Sequence, residues 1–294
     1  MKKLRLALLV FFAGTACVFG YSQVTQALNA DNSAPEITAD TNNLEVSVSA
    51  TDKDLLKGME ATDNRDGNVT DSLVVVSRSK FLDPGVINVN YAAFDSHNNV
   101  GTYVRKVTYT DYTSPTFSIK VPLVFRNTEE DPNYMTGITA TDVLDGDITS
   151  MIRSDEGEVV TDEDGNSITP LKLQVTNTEG DTVSVDVEAR LLDNKAYLQD
   201  APALSDYLIY TKKGEKPEYR SLLTGVVSGQ DATAFEDSDF TASDVTIDDS
   251  EVDYDTPGVY SVFYTLNQTS SDLGTQSSTE SLGMTEQFVV VKDS

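Results

Sequence analysis

The sequence predicts an all-β protein: three tandem antiparallel β-sandwiches behind an N-terminal hydrophobic segment that acts as a signal or an anchor. Three observations carry that expectation. Residues 61–70 (ATDNRDGNVT) match residues 140–149 (ATDVLDGDIT) at six of ten positions, 79 residues apart, and self-similarity at a long spacing marks a chain of repeated modules. Apolar and polar residues alternate with period two along much of the chain, the pattern of strands with one face buried. Asp-Gly and Pro-Gly pairs punctuate these runs as turns, and no convincing amphipathic helix follows residue 30.

The N-terminal segment comes first. Lys2, Lys3 and Arg5 precede an uncharged run over residues 6–21, the basic head and apolar stretch of an export signal. That run has 16 residues, short of the roughly 20 that span a bilayer. Thr25 and Ala27 offer a cleavage site after Ala27, with Ala30 as a second choice. Two alternatives stay open. An uncleaved helix would tether the chain, and Gly-Thr-Ala before Cys17 resembles a lipoprotein cleavage box with Cys17 as the lipidated residue, although Gly14 stands where Leu is usual. Each route exports residues 31–294 and places any membrane contact at the N-terminus. Cys17 is the only cysteine, so stability must come from burial or ions and not from a disulfide.

Pro punctuates the rest at Ala34-Pro35, Ser114-Pro115 and Ala201-Pro202, which sets domains of 31–112, 113–198 and 199–294 after a segment of 1–30. In the first, Leu44, Val46 and Val48 alternate, then Ile87, Val89, Tyr91 and Ala93, then a run over 103–109. The second repeats this with Leu171, Leu173 and Val175, followed by Val183, Val185, Val187, Ala189 and Leu191. The third uses Tyr260, Val262, Tyr264 and Leu266 and closes on an apolar run over 288–291. A Gly before an apolar residue recurs as Gly58-Met59, Gly137-Ile138 and Gly225-Val226, and TPGVYSVFY at 256–264 matches DPGVINVNY at 83–91 in Pro, Gly, two Val and Tyr.

These motifs resemble the bacterial Ig-like domain that occurs in tandem on surface proteins and in an insecticidal crystal toxin. The match is fullest over the first domain. The second keeps the acidic loop and replaces the Pro-Gly-Tyr strand; the third keeps that strand and lacks the Asp-Gly loop. The resemblance implies three Ig-like sandwiches acting as an adhesion or binding module or as a spacer at the cell surface, and leaves the ligand open, since fold does not determine function. With no Trp and no Cys pair, the antibody-type core of Trp on a disulfide is excluded.

The chain holds 21 Lys and Arg against 48 Asp and Glu, a net charge of -27. Such a surface repels phosphate backbones, so nucleic acid is not an expected partner. A lone His97 rules out a two-histidine metal site or dyad within one chain. Asp63, Asp66 and Asp71, with Asp142, Asp145 and Asp147 at the matching place, form the candidate metal-ligand set, for calcium, with Asp95 or Asp111 adding oxygens. The competing reading is that Asp-Gly makes a turn while Asp and Thr fix the loop through side-chain-to-backbone bonds. Residues 162–166 (DEDGN) read as a hairpin tip and His97 as an exposed turn residue. No two acids are expected to pair in an apolar setting, so the chain is read as non-enzymatic, with a carboxylate glycosidase as the remote alternative. The expected partner is an extracellular protein or glycan, with a cell-envelope assembly as the other reading.

Overall fold

The computed structural model describes residues 11–12, 14–24, 32–161, 166–271 and 277–293. Two compact units divide the chain, 1–112 and 113–294. Residues 14–24 are helical and exposed, Cys17 among them, and among the described residues no helix is long and apolar enough to cross a membrane. The cleavage-site residues Ala27 and Ala30 lie outside the described residues, as does the 162–165 part of the hairpin tip.

In the first unit the strands are β1 (Glu36–Ala39), β2 (Asn43–Val46), β3 (Met59–Asp63), β4 (Gly67–Asn68), β5 (Val74–Arg78), β6 (Val86–Phe94) and β7 (Val100–Tyr109). They form two sheets, β1-β3-β4 and β2-β7-β6-β5. The inward row of β6 is Ile87, Val89, Tyr91 and Ala93, and it packs with Val107 of β7 against Ile37, Met59 and Ala61 of the other sheet. Period-two burial is what the alternation predicts, because successive side chains leave a strand on opposite faces. The sequence did not reveal one pairing direction: β2 lies parallel to β7.

The second unit contains two more strand sets. One comprises β8 (Thr116–Ile119), β9 (Val124–Arg126), β10 (Ile138–Asp142), β11 (Gly146–Asp147), β12 (Arg153–Glu156), β13 (Val160–Thr161), β14 (Ser167–Thr176) and β15 (Thr182–Leu192). The other comprises β16 (Ala201–Leu204), β17 (Leu208–Lys212), β18 (Leu223–Ser228), β19 (Asp231–Ala234), β20 (Val245–Asp248), β21 (Gly258–Ser271) and β22 (Ser277–Lys292). Their sheets run β8-β10-β11 with β9-β15-β14-β12, and β16-β18-β19 with β17-β22-β21-β20. The first unit's order therefore recurs twice, β13 being an addition on β14. The parallel pair recurs too, as β9 on β15 and β17 on β22.

One hydrophobic core runs through both sets of the second unit, from Phe117, Leu171 and Val187 to Tyr207, Tyr264 and Val289. Polar bonds join the sets as well. On the edge strand β8 the Ile119 carbonyl accepts from the Tyr207 N–H at 2.8 Å, and the Phe117 N–H donates to the Tyr210 hydroxyl oxygen at 2.8 Å. Asp206 accepts from Ser118 Oγ at 2.8 Å and from the Ile119 N–H at 3.1 Å, and pairs with Lys120. A sheet edge that would otherwise template association is thus covered from within the chain.

Candidate functional site

Two places concentrate polar chemistry, and the first is the repeated acidic loop. The tight turns after β3 and β10 need left-handed backbone at Gly67 (φ 74) and Gly146 (φ 72), which a residue without Cβ adopts freely. In the first unit Asp63 Oδ1 accepts the N–H groups of Arg65 (2.8 Å) and Asp66 (2.9 Å). Thr70 Oγ1 takes the Ala61 N–H at 3.0 Å, and Asn68 takes the Thr70 N–H. The second unit reproduces each bond: Asp142 Oδ1 with Leu144 and Asp145, Thr149 with Ala140, Asp147 with the Thr149 N–H. The second aspartate then staples the turn of the long hairpin. Asp66 accepts from the Ser96 N–H (2.7 Å) and hydroxyl (3.0 Å), and Asp145 accepts from the Thr178 N–H and hydroxyl, both at 2.6 Å.

These bonds explain most of the aspartates as architecture. N–H groups donated by Asp66 and then Arg65 hold the Asp63 carboxyl below its usual range, and the Thr149 hydroxyl and N–H do the same for Asp147. Asp111 is held low mainly by Ser47, and closes the end of β2 through Ser47 Oγ at 2.7 Å and the Val48 N–H at 2.8 Å. Asp71 is exposed. Of the six aspartates in the candidate set, Asp63 and Asp66 come together with a third acid, Asp95. Among the described residues this trio is the group whose ligand atoms lie within 4.8 Å of one another. Asp71 and Asp111 stand apart from it, and Asp142, Asp145 and Asp147 form no such group.

Asp95 starts the β6–β7 turn, taking the N–H groups of His97 and Asn99 on Oδ1 (2.8 Å each) and Asn99 Nδ2 on Oδ2 (2.6 Å). Burial works to raise its pKa, but the bonds from Asn99 and His97 prevail and hold it low. His97 is exposed in this turn, with Nδ1 3.1 Å from Ser96 Oγ. The third strand set lacks the acidic loop. Its Gly225 differs from Gly58 (φ 70) and Gly137 (φ 73), which need positive φ: a Cβ at Gly225 would sit 1.9 Å from the Thr233 carbonyl, so that glycine serves close strand approach.

The second place went unseen in the sequence. A cleft of about 260 Å³ opens where β9, β15 and β22 meet, walled by Val124, Leu192, Met284 and Phe288 and rimmed by Glu188, Arg190, Gln199 and Glu286. Tyr197 lines it with Arg126 stacked 4.8 Å from the ring centroid on one side and Gly229 against the ring on another. Glu188 and Glu286 flank Arg190 here, Glu188 about half exposed. Glu286 accepts from Arg190 Nε on Oε2 (2.9 Å) and from Ser261 Oγ on Oε1 (2.6 Å), whereas Glu188 is 3.9 Å from Arg190. Burial, then the charge of Glu286, raises the Glu188 pKa. Glu286 lies 96 positions from Arg190 in sequence, and period-two patterning reports only which face a residue takes, so no local signal brought them together.

No protein-family model matches the chain, and no curated protein matches it. Among solved structures, similarity is found to a carbohydrate-binding module structure with GlcNAc and INT domains from Clostridium perfringens ZmpB, at 20% identity over 49% of this chain and 29% of that one, TM-score 0.22. The M60 catalytic domain of the same protein with two such modules gives 14% identity over 90% and 31%, TM-score 0.20. The extracellular domain of protocadherin GammaB4 gives 11% over 90% and 52%, TM-score 0.20. The chain thus spans about a third to a half of the length of these three structures.

Proposed function

We propose that this chain is an exported bacterial surface or secreted protein built of tandem Ig-like modules, and that it binds an extracellular protein or glycan through the cleft at 113–294. The cleft is the observation that carries this reading. Its volume of about 260 Å³ stands just under the roughly 300–1,000 Å³ of ordinary ligand pockets, room for one sugar ring or one side chain. Apolar walls with a few convergent polar groups are the usual composition of such sites. The signal-like N-terminal segment, the repetition and the acidic surface support an extracellular setting.

Hydrolysis is the weaker reading. Both oxygens of Glu286 are committed to Arg190 and Ser261, so one carboxylate remains where glycoside hydrolysis needs two. The test is to probe glycan and extracellular-protein arrays with the purified protein and with Met284→Trp. Met284 is 49% exposed at the cleft wall, so an indole there fills the cleft without entering the core. Binding by the wild type and its loss in M284W is the expected result. Binding that survives the substitution moves the site elsewhere, and no binding on any array leaves the spacer role.

A further inference from the structure

We infer that Asp63, Asp66 and Asp95 form a binding site for a hard divalent cation, calcium foremost, and that the second unit abolishes the same site by placing an amide where the first has a carboxylate. Two independent observations lead there. The first is the trio, whose ligand atoms all lie within 4.8 Å of one another. Oxygens on opposite sides of a calcium ion are separated by about 4.6–5.2 Å, twice its bond length, so one ion can touch all three. The second is an orphan. Asp63 is only 8% exposed, its Oδ1 is used by two N–H groups, and its Oδ2 is buried with no hydrogen-bond partner. A buried carboxylate oxygen beside another buried acid is costly unless a donor or cation meets it.

The second unit shows what meets the equivalent oxygen there. Asn177 occupies the place of Asp95: the residue after it binds the stapling aspartate, Thr178 on Asp145 as Ser96 on Asp66. Its backbone N–H likewise reaches the carbonyl four residues on, at Asp181, as that of Asp95 reaches Asn99. Asn177 Nδ2 donates to Asp142 Oδ2 at 3.2 Å. Where the second unit puts a donor on this oxygen, the first puts another carboxylate. A cation is the partner that meets both carboxylates at once and offsets their mutual repulsion. With oxygen-only ligands of full negative charge, a hard cation fits better than a transition metal. Asp66 is exposed, so water completes the shell and the affinity belongs to the weak range of extracellular modules, Kd about 10⁻⁴–10⁻³ M.

The experiment is calcium titration of the purified protein by isothermal calorimetry, with hydrogen exchange of residues 61–70 and 94–100 as a second readout, on the wild type, Asp95→Asn and Asn177→Asp. The wild type is expected to bind one calcium and, at a tenfold excess over Kd, to raise the first unit's midpoint by about 5–10 °C. Asp95→Asn installs the pairing that the second unit already uses, so it is expected to fold, to lose calcium binding and to be more stable than the metal-free wild type. Asn177→Asp is expected to gain a second equivalent. No heat and no change in exchange in the wild type with calcium or magnesium would overturn the inference. Unchanged calcium binding by D95N would overturn it equally.

Discussion

Arg105 shows what a single side chain can do in a strand. Period two puts residues 105 and 107 on one face of β7, and Val107 is fully buried, so a cation is carried into the core with it. Its side chain is 0% exposed and every donor group is used: Nε to the Thr41 carbonyl at 2.9 Å, one terminal nitrogen to the Lys57 carbonyl at 2.7 Å, and the other to Asp40 and Thr41 Oγ1 at 2.6 Å each. Asp40 is largely exposed and keeps its water, so the charge pair matters less than the two carbonyls that would lose their donor. Replacing Arg105 with Ala is expected to destabilise the first unit by about 3–5 kcal/mol. Lys at this position should recover only a minor part, since an ammonium cannot match the planar fork. Urea unfolding of both variants checks this. The sequence marks only a strand run over 103–109, and the partners of Arg105 lie 48 to 65 residues away, where no local pattern names them. The same limit applies to Asp63: its turn was legible from Asp-Gly, whereas Asp95 joins it only because β6 ends beside that turn.

At the level of elements, strands with strict alternation were the most legible. The predicted rows on β6, β14 and β15 are the buried ones, with Ile87, Val89, Tyr91, Leu171, Leu173, Val185 and Val187 all in the cores. Short elements without periodicity were not: the helical turns Asp52–Leu55 and Asn194–Tyr197 are set by capping at Thr51 and Asp193. Nor does composition reveal strand direction, which left the three parallel pairs unpredicted. Gly101 marks how closely elements meet. A Cβ there would lie 2.0 Å from the Pro35 carbonyl oxygen, so the approach to β1 passes β7 at a distance only glycine allows. Gly101→Ala is expected to force that backbone away and to lower the stability of the first unit by about 1–3 kcal/mol, visible as a reduced urea midpoint with unchanged behaviour of the second unit.

For the whole molecule, the three sequence repeats and the two compact units belong to different levels of description. Three strand sets share one topology, but the second and third also share a core and a hydrogen-bonded edge, and so should unfold together. Tyr207 and Tyr210 report on this. Burial first of all pushes both phenols up to about 12 from the ordinary 10.0. A raised folded pKa means stability that is intact below pH 10 and lost as pH rises through about 12. Strands β8–β15 and β16–β22 are therefore expected to lose exchange protection together over that window. Separate transitions for the two sets would refute a common core. By itself the sequence determined the β class, the repeat, the inward rows and the turn loops, because these follow from local spacing and from backbone preferences of Gly, Pro and Asp. Only the tertiary structure decided that two strand sets share one core, that a cleft opens between them, and that Asp95 completes an acidic trio which Asn177 interrupts in the second unit. Those features depend on which distant surfaces meet, and period-two patterning records only that a surface is apolar, not what it packs against.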